Sequence, residues 1–255
     1  MNIHSITDRI NRAWLLFDLT CYQLSLLETI QVLGVEPECA EAHSLHGLCL
    51  VNMNQHKAGI AAIKYAIAID PDEACYHQHL ALAYLECENF GVARQSIDRA
   101  IELDPQDVIS WLITAQITNA VACYMDTGYS LILHETAIYQ ADRALGLNPR
   151  NVNALYIKLS SLYKLDRMTE LEAGCDRLLS IEPNHAPTYN LIGLLHQQRQ
   201  QWGRSIGFFR IALNIQPNLT LAQSNLSHSY SRIAKTYDIL SSMQHRFEQE
   251  TIIKE

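Results

Sequence analysis

Histidines and cysteines are the residues whose types and spacing come closest to a chemical site in this sequence. The chain carries 11 histidines and 7 cysteines in 255 residues. His43, His46 and Cys49 recur every three positions, and on a helix this spacing brings at least two of them together, as zinc ligands require. His77 and His79 begin a similar segment. Either these residues bind a metal or they pack between helices, and we favour packing, with no metal and no cofactor.

Catalytic motifs do not appear in the sequence. There is no G-x-S-x-G, H-E-x-x-H or P-loop, and no glycine-rich dinucleotide turn. Cys75 and His79 lie four positions apart, and we favour packing for this pair as well. Lys158 stands at a position where an apolar residue is usual, and it is either a tuned base or, as we favour, a side chain that extends to solvent. We therefore expect a protein that is not an enzyme.

Composition and charge disfavour several functional classes. The formal net charge is -8, with 19 basic against 27 acidic residues, so a surface for nucleic acid is not expected. The cysteines include no C-x-x-C pair, and Asp8 and Arg9 fall where a secretory signal needs an apolar core. We expect reduced thiols and a cytoplasmic protein. The uncharged segment 108–125 contains five polar residues, which favour a buried helix over a membrane span.

The prolines reveal an internal repeat. Six of the seven are separated by 34, 34, 44, 34 and 34 residues, and they are Pro37, Pro71, Pro105, Pro149, Pro183 and Pro217. Each ends an amphipathic run, and proline cannot continue a helix. A capping candidate follows five of them: Asp72, Asp107, Asn151, Asn184 and Asn218. Each period therefore predicts a helix, a turn, a second helix and a stop.

Small residues recur at fixed positions within each period. The first helix carries Gly47, Ala81, Ala115 and Gly193, and the second carries Gly59, Ala93, Ala137 and Ser205. With its 34-residue unit and these columns, the sequence resembles the tetratricopeptide repeat, most clearly over residues 74–107. The resemblance implies an all-α, right-handed superhelical solenoid of helix pairs, closed by a C-terminal capping helix.

We predict a single solenoid over residues 1–255. Its units are residues 6–39, 40–73, 74–107, 108–151, 152–185 and 186–219, followed by a capping helix and tail over 220–255. The first unit is divergent, with Arg9 and Arg12 in apolar columns, as is typical of an end repeat. Leu159 and Leu171 stand in small columns of the fifth unit, where we expect looser or shifted packing.

The fourth unit contains ten extra residues around Cys123 to Leu133. Either they lengthen both helices by about 1.4 turns each or they form an apolar loop, and we favour longer helices. Tyr124, Met125 and Tyr129 in this insertion are candidate partner contacts. The alternative is that the insertion only packs against a neighbouring helix.

The resemblance also implies a concave surface formed by the first helices, where peptides bind in this family. The residues predicted to contact a partner are Ser44, Leu48, Val51, Asn52, Gln78, Leu82, Leu85, Leu112, Gln116, Asn119, Tyr156, Tyr163, Asn190, Leu194 and Gln197. They form a leucine and tyrosine stripe beside amide side chains. The Lys, Asn and Arg clamp of chaperone-binding members is absent, because Ser44, Leu48 and His79 are among the residues in its place.

These features predict a protein–protein interaction module. We expect a cytosolic adaptor or assembly chaperone that binds an apolar or amphipathic segment of another protein. One alternative is a structural subunit that uses its convex face, insertion or end caps. A second is that the chain's own C-terminal helix covers part of the groove. Association with a second copy of the chain is also left open by the low charge and the apolar stripe.

Overall fold

A computed structural model describes residues 5–125 and 128–252, and it describes side chains as far as Thr236. Every regular element in these ranges is a helix. The helices are α1 Ile6–Asp18, α2 Tyr22–Leu33, α3 Ala40–Asn52, α4 His56–Ile69, α5 Ala74–Glu86, α6 Phe90–Leu103, α7 Val108–Tyr124, α8 Gly128–Leu147, α9 Val152–Lys164, α10 Met168–Ile181, α11 Ala186–Gln198, α12 Trp202–Ile215 and α13 Thr220–Ile252. The predicted all-α fold of consecutive helix pairs is confirmed.

The helices form two compact units, residues 1–157 and 158–255. In the first unit each second helix packs against its own first helix, and α2, α4 and α6 also pack against the first helix of the next pair. In the second unit α13 packs on α12 and α11, and Ala222 joins Ala186 and Ala212 in a small core. The start of α13 therefore caps the α11–α12 pair.

The turn between the two helices of a pair repeats with the same period. Its middle residue has positive φ, between 56° and 62°, at Thr20, Asn54, Glu88, Asp166 and Gln200. In the second pair the N–H of Gln55 reaches back to the carbonyl of Leu50 at 2.8 Å, which satisfies an orphan carbonyl at the end of α3. Asn54 and Asp166 are residue types that enter this conformation more readily, so the other three turns form at some conformational cost.

The residues before the prolines end the second helices as expected. Asp70, for example, has extended backbone angles at φ -133° and ψ 92°. Two of the predicted helix caps are confirmed, because the side chains of Asp107 and Asn151 accept from Ser110 N and Ala154 N. The predictions at Asp72, Asn184 and Asn218 were wrong, because their helices begin one residue later than expected. The N-caps of α5 and α11 are Glu73 and His185, and α13 begins at Thr220.

In the fifth pair, large residues stand at positions that are small in the other pairs, and a glycine stands beside them. Leu159 and Leu171 both lie in small columns, and both are fully buried. Gly174, one turn beyond Leu171, contacts the Leu159 side chain, and a Cβ on Gly174 would collide with it. The packing is therefore shifted rather than loose, because the glycine supplies the space that the leucines take.

The ten-residue insertion lengthens both helices of the fourth pair. Helix α7 has 17 residues where α5 has 13, and α8 has 20 where α6 has 14. The differences are 4 and 6 residues, which account for the whole insertion. Residues 126 and 127 of the predicted contact segment lie outside the described residues. The interpretation as longer helices is confirmed over the described part of the segment.

Two ion pairs join the helices of the first pair. Arg9 and Arg12 of α1 both pair with Glu28 of α2, at 3.1 and 3.0 Å. Ser5 and Asp8 form a reciprocal capping box at the start of α1.

Within the described residues, no helix has the length and hydropathy needed to cross a bilayer.

Candidate functional site

The first helices of the first unit lie side by side. Helix α3 packs against α1 and α5, and α5 packs against α7, so one surface of the unit is formed by α1, α3, α5 and α7. We call this the first-helix surface. Most of the residues predicted to contact a partner stand on these four helices.

The structure divides the predicted contact residues by exposure. Five are buried within the chain: Ser44, Leu48, Val51, Gln78 and Asn190. Asn52 is exposed. The others are partly exposed: Leu82, Leu85, Leu112, Gln116, Asn119, Tyr156, Tyr163, Leu194 and Gln197. Leu48 and Val51 lie in a core cluster with Ile63 and Leu80, so they present little surface to a ligand.

The buried polar members of the set form hydrogen bonds between neighbouring first helices. Ser44 Oγ lies 2.7 Å from His79 Nδ1. Gln78 Nε2 donates to Ser110 Oγ at 3.0 Å and to the Asp107 carboxylate at 2.7 Å. These side chains already have partners, so they hold successive first helices together.

The same polar column continues in the second unit. Asn225 of α13 donates to Asn190 Oδ1 at 2.9 Å. Gln197 Nε2 donates to the Asn225 carbonyl at 3.0 Å and to Ser229 Oγ at 2.8 Å. The start of α13 therefore forms hydrogen bonds with the amide side chains of Asn190 and Gln197 on α11. For these two residues, this agrees with the alternative that the chain's own C-terminal helix covers part of the groove.

An apolar stripe remains accessible on the first-helix surface. Leu82 and Leu85 are partly exposed and rest on the core cluster around Ile97, and Leu112 rests on the cluster around Ala115. At the start of the stack Trp14 and Phe17 are also partly exposed, with ring centroids 5.9 Å apart in an edge-to-face arrangement. Glu41 accepts a hydrogen bond of 2.9 Å from the Trp14 indole.

Sequence reasoning missed Trp14 and Phe17 as members of this surface. They stand 34 residues before Leu48 and Val51, so the repeat period could have found them. The divergent arginines of the first unit led to its interpretation as an end cap alone. We define the exposed stripe as Trp14, Phe17, Leu82, Leu85 and Leu112.

His79 lies beside the stripe and is neutral at physiological pH. Burial lowers its pKa to about 4. Its ring lies 5.7 Å from the Trp14 ring, and its Nδ1 is bonded to Ser44. The imidazole therefore contributes packing and a hydrogen bond, and it adds no positive charge to this surface.

A recurring hydrogen bond explains two of the other histidines, His43 and His77. The residue six positions after each of five prolines bonds to that proline's carbonyl, at 2.7 to 3.1 Å. The pairs are His43 with Pro37, His77 with Pro71, Trp111 with Pro105, Tyr189 with Pro183 and Gln223 with Pro217. All five side chains donate a hydrogen bond to the proline carbonyl, which can only accept one. In their neutral form His43 and His77 therefore carry the ring proton on Nε2.

The remaining metal candidates have other partners. His46 Nδ1 bonds to Thr29 Oγ1 at 3.0 Å, and the buried Cys49 thiol donates to Ser25 Oγ at 3.2 Å. Burial, followed by the charge of Glu73, raises the pKa of Cys75 to about 12. In the described parts of the chain, no three His, Cys, Asp or Glu side chains are grouped to hold a metal ion.

The lengthened helices of the fourth pair expose large apolar residues. Tyr124 is 63% exposed, Met125 47% and Tyr129 71%. Leu131 and Ile132 are exposed beside them. The Tyr124 hydroxyl donates to Glu88 at 2.6 Å, and its ring contacts the Phe90 ring in a tilted arrangement, with an interplanar angle of 50°. We call Tyr124, Met125, Tyr129, Leu131 and Ile132 the insertion patch.

Comparisons with known proteins agree with this geometry. Residues 76–107 match the family model of the tetratricopeptide repeat. A TPR repeat-containing protein of Treponema pallidum (strain Nichols) is 26% identical over 226 residues, which cover 77% of this chain and 28% of that protein. The chain thus spans less than a third of the length of this relative.

Solved structures show the same fold at low sequence identity. The APC/C hetero-tetramer Cut9-Hcn1 has a TM-score of 0.76 at 14% identity, covering 89% of this chain and 44% of that chain. YrrB, a TPR protein with an unusual peptide-binding site, has a TM-score of 0.53 at 16% identity, covering 77% of this chain and 96% of that chain.

The fold and the first-helix surface define a helical repeat scaffold for protein–protein interaction, a class whose members are typically non-catalytic. The chain contains a tetratricopeptide repeat at residues 76–107, and it has the fold of solved tetratricopeptide repeat proteins.

Proposed function

We propose that this protein is a non-catalytic adaptor or assembly chaperone. It binds an apolar or amphipathic segment of another protein on the concave side of the first unit. The observation that carries the proposal is the exposed stripe on α1, α5 and α7, where aromatic and leucine side chains remain accessible beside the polar Gln116. The peptide-binding site named for the similar YrrB structure supports the same mode of use.

The apolar side chains of the exposed stripe favour an apolar segment as the ligand. The stripe residues are all uncharged, and Glu41 of α3 and Glu86 of α5 lie on the first helices beside them. Burying about 300 Å² of apolar area contributes roughly 7 kcal/mol at 25 cal/mol per Å². Because association costs at least about 4 kcal/mol, the segment needs further backbone hydrogen bonds for micromolar affinity. Gln116 and Asn52 stand where they could form them.

The proposed location is the cytoplasm. All seven cysteines are free thiols in the structure, and five of them are at least partly exposed. Exposed thiols are typical of a reducing compartment. Labelling of thiols in intact host cells tests this part, since a cytoplasmic protein should carry its cysteines reduced and an extracytoplasmic one should not.

A second candidate function is that of a subunit held in a larger complex through the insertion patch. Its support is the exposure of Tyr124, Met125 and Tyr129 on the lengthened helices. The similar Cut9 structure is part of a hetero-tetramer, which supports a role of this kind. In this case the exposed stripe would not be needed for assembly.

Affinity capture from the host with quantitative mass spectrometry separates the two functions. We would compare wild type with Leu82→Arg combined with Gln116→Arg, and with Tyr124→Glu combined with Tyr129→Glu. Tyr139→Arg is the matched control, because Tyr139 is 59% exposed on α8, a second helix of the same unit. Leu48 is unsuitable for this test, because its burial would make Leu48→Arg a test of folding.

The adaptor proposal expects the partner to be lost with the first double variant and retained with the other two. Loss only with the insertion variant would support the subunit function instead. Retention with all variants, at unchanged far-ultraviolet circular dichroism, would refute both functions.

A further inference from the structure

The second unit contains a cleft between neighbouring helices. It has a volume of about 250 Å³ and lies between α10, α11 and α12. None of the residues predicted to contact a partner lines it. This site is therefore separate from the function proposed above, and it does not depend on that function.

The cleft has a cause in the repeat pattern. In one column of the second helices, the second, third and sixth pairs carry large side chains that are fully buried: Ile63, Ile97 and Phe209. The fifth pair carries Cys175 at this position. Ala141 in the fourth pair is also small, but Ile157 packs against it. Cys175 instead lines the cleft, which occupies the space that a larger residue would fill.

The walls of the cleft are apolar and aromatic. Leu179 and Ile192 line it from α10 and α11, and Phe208 lines it from α12. The Phe208 ring is stacked on His196, with an interplanar angle of 8° and centroids 5.1 Å apart. The stack fixes the position of the phenyl ring and gives the cleft a flat aromatic wall.

The rim of the cleft is acidic. Glu172 and Asp176 both stand on α10, one turn apart. Glu172 is neutralised by Arg199, whose two terminal nitrogens lie 3.2 and 2.9 Å from its oxygens. Asp176 has no hydrogen bond or ion pair to any side chain in the described ranges, so its negative charge is available at the mouth.

The Cys175 thiol adds no second negative charge to the cleft beside Asp176. Burial raises its pKa to about 12, so the thiol is protonated and uncharged at neutral pH. The cleft thus combines an uncharged floor, an aromatic wall and one free carboxylate at its edge. The chain as a whole carries a net charge of -8, which attracts cationic partners.

We propose that this cleft binds the side chain of an arginine in a segment of a partner protein. The guanidinium pairs with Asp176 and lies against the Phe208 ring, and the methylene stem packs on Leu179 and Ile192. A planar guanidinium stacks on aromatic rings better than an ammonium, so arginine is preferred to lysine. The volume accommodates one side chain rather than a drug-sized ligand, for which pockets of about 300–1,000 Å³ are usual.

The test is a titration of the full chain with N-acetyl-arginine methylamide, followed by NMR of isoleucine and leucine methyl groups. The parallel probes are the lysine and norleucine analogues. We expect saturable shifts at Ile192 and Leu179 with a Kd on the order of 1 mM, as the small size of the probe implies. The lysine analogue should bind more weakly, and the norleucine analogue should not saturate.

Two variants test the assigned contacts. Cys175→Ile should abolish binding by filling the cleft with a residue that other pairs already accept in this column. Asp176→Asn changes an exposed side chain and should raise the Kd about 5-fold, the upper end for an exposed ion pair. Glu182→Gln, an exposed acid at the end of α10 outside the cleft, is the charge-matched control and should not change the Kd.

Several results would overturn the proposal. These are no saturable shift in wild type, equal binding of the arginine and norleucine probes, or equal effects of Asp176→Asn and Glu182→Gln. The double variant Leu82→Arg, Gln116→Arg should bind the probe as wild type does. Failure of the proposed groove function and failure of the arginine cleft are therefore distinguishable.

Discussion

Substitution of Gly193 by alanine tests whether the small columns are needed for helix contact. Gly193 lies on α11 and faces Phe209 of α12, which is fully buried. A Cβ at this position would stand 2.6 Å from ring atom Cδ1 and 2.9 Å from Cζ, whereas ordinary contacts begin at 3.4 Å. The overlap with Cδ1 is thus 0.8 Å. Since the ring is fully buried, we expect the cost of overpacking near the upper end of 1–3 kcal/mol.

The matched control is Gly207→Ala on α12. Nothing lies within 4 Å of a Cβ at Gly207, which stands in the middle of its helix. Both substitutions gain about 1 kcal/mol of helix propensity. Gly207→Ala should therefore stabilise the protein by about 1 kcal/mol, and Gly193→Ala should destabilise it by about 2 kcal/mol.

Urea unfolding followed by circular dichroism and by tryptophan fluorescence measures the difference. A second substitution that restores the stability lost in Gly193→Ala tests the contact more directly. Ala81 and Ile97 occupy the equivalent positions in the third pair and are both fully buried. Gly193→Ala combined with Phe209→Ile should therefore recover more than 1 kcal/mol relative to the sum of the single changes. If Gly193→Ala stabilised the protein as much as Gly207→Ala, the assignment of this column as a close helix contact would be refuted.

Three further predictions concern hydrogen bonds and pH. Gln78→Ala should lower the free energy of unfolding by about 1–3 kcal/mol, because it leaves the buried Ser110 hydroxyl without this donor; an unchanged urea midpoint would contradict the role of the polar column. Because burial lowers the folded-state pKa of His79 from 6.5 to about 4, stability should fall as pH decreases between these values, by on the order of 2–3 kcal/mol, and His79→Gln should flatten this part of the profile. Trp111→Phe should cost about 1 kcal/mol in chemical denaturation through loss of the indole bond to the Pro105 carbonyl, and equal stability would argue against that bond.

The proline period predicted the order of the helices, because proline ends a helix wherever it stands. The small columns predicted which faces meet within a pair. Helix caps were less predictable, since Glu73 and Asp72 both carry carboxylates and the start of the helix decides which one caps it. The positive φ angles at Thr20, Glu88 and Gln200 could not be read from the residue types, because none of these residues favours that conformation.

The site was less predictable than the fold. Helical spacing put Leu48, Val51 and Gln78 on the first-helix face, but it does not say how far the neighbouring helix covers them. In the structure the neighbouring helices bury these three, while Leu82 and Leu85 stay partly exposed. Such differences in exposure depend on how closely neighbouring helix pairs pack, and helical spacing in a single sequence does not predict that distance.

Site-specific photocrosslinking tests the central proposal, that the first-helix surface binds a segment of a partner protein. Gln116→p-benzoylphenylalanine places the crosslinker beside the exposed stripe, and Tyr139→p-benzoylphenylalanine places it on a second helix of the same unit. Crosslinked peptides recovered from host cells would be identified by mass spectrometry. The proposal predicts one apolar or amphipathic segment crosslinked at position 116 and absent at position 139. The same segments at both positions, or crosslinks at 116 only to the chain's own α13, would contradict it.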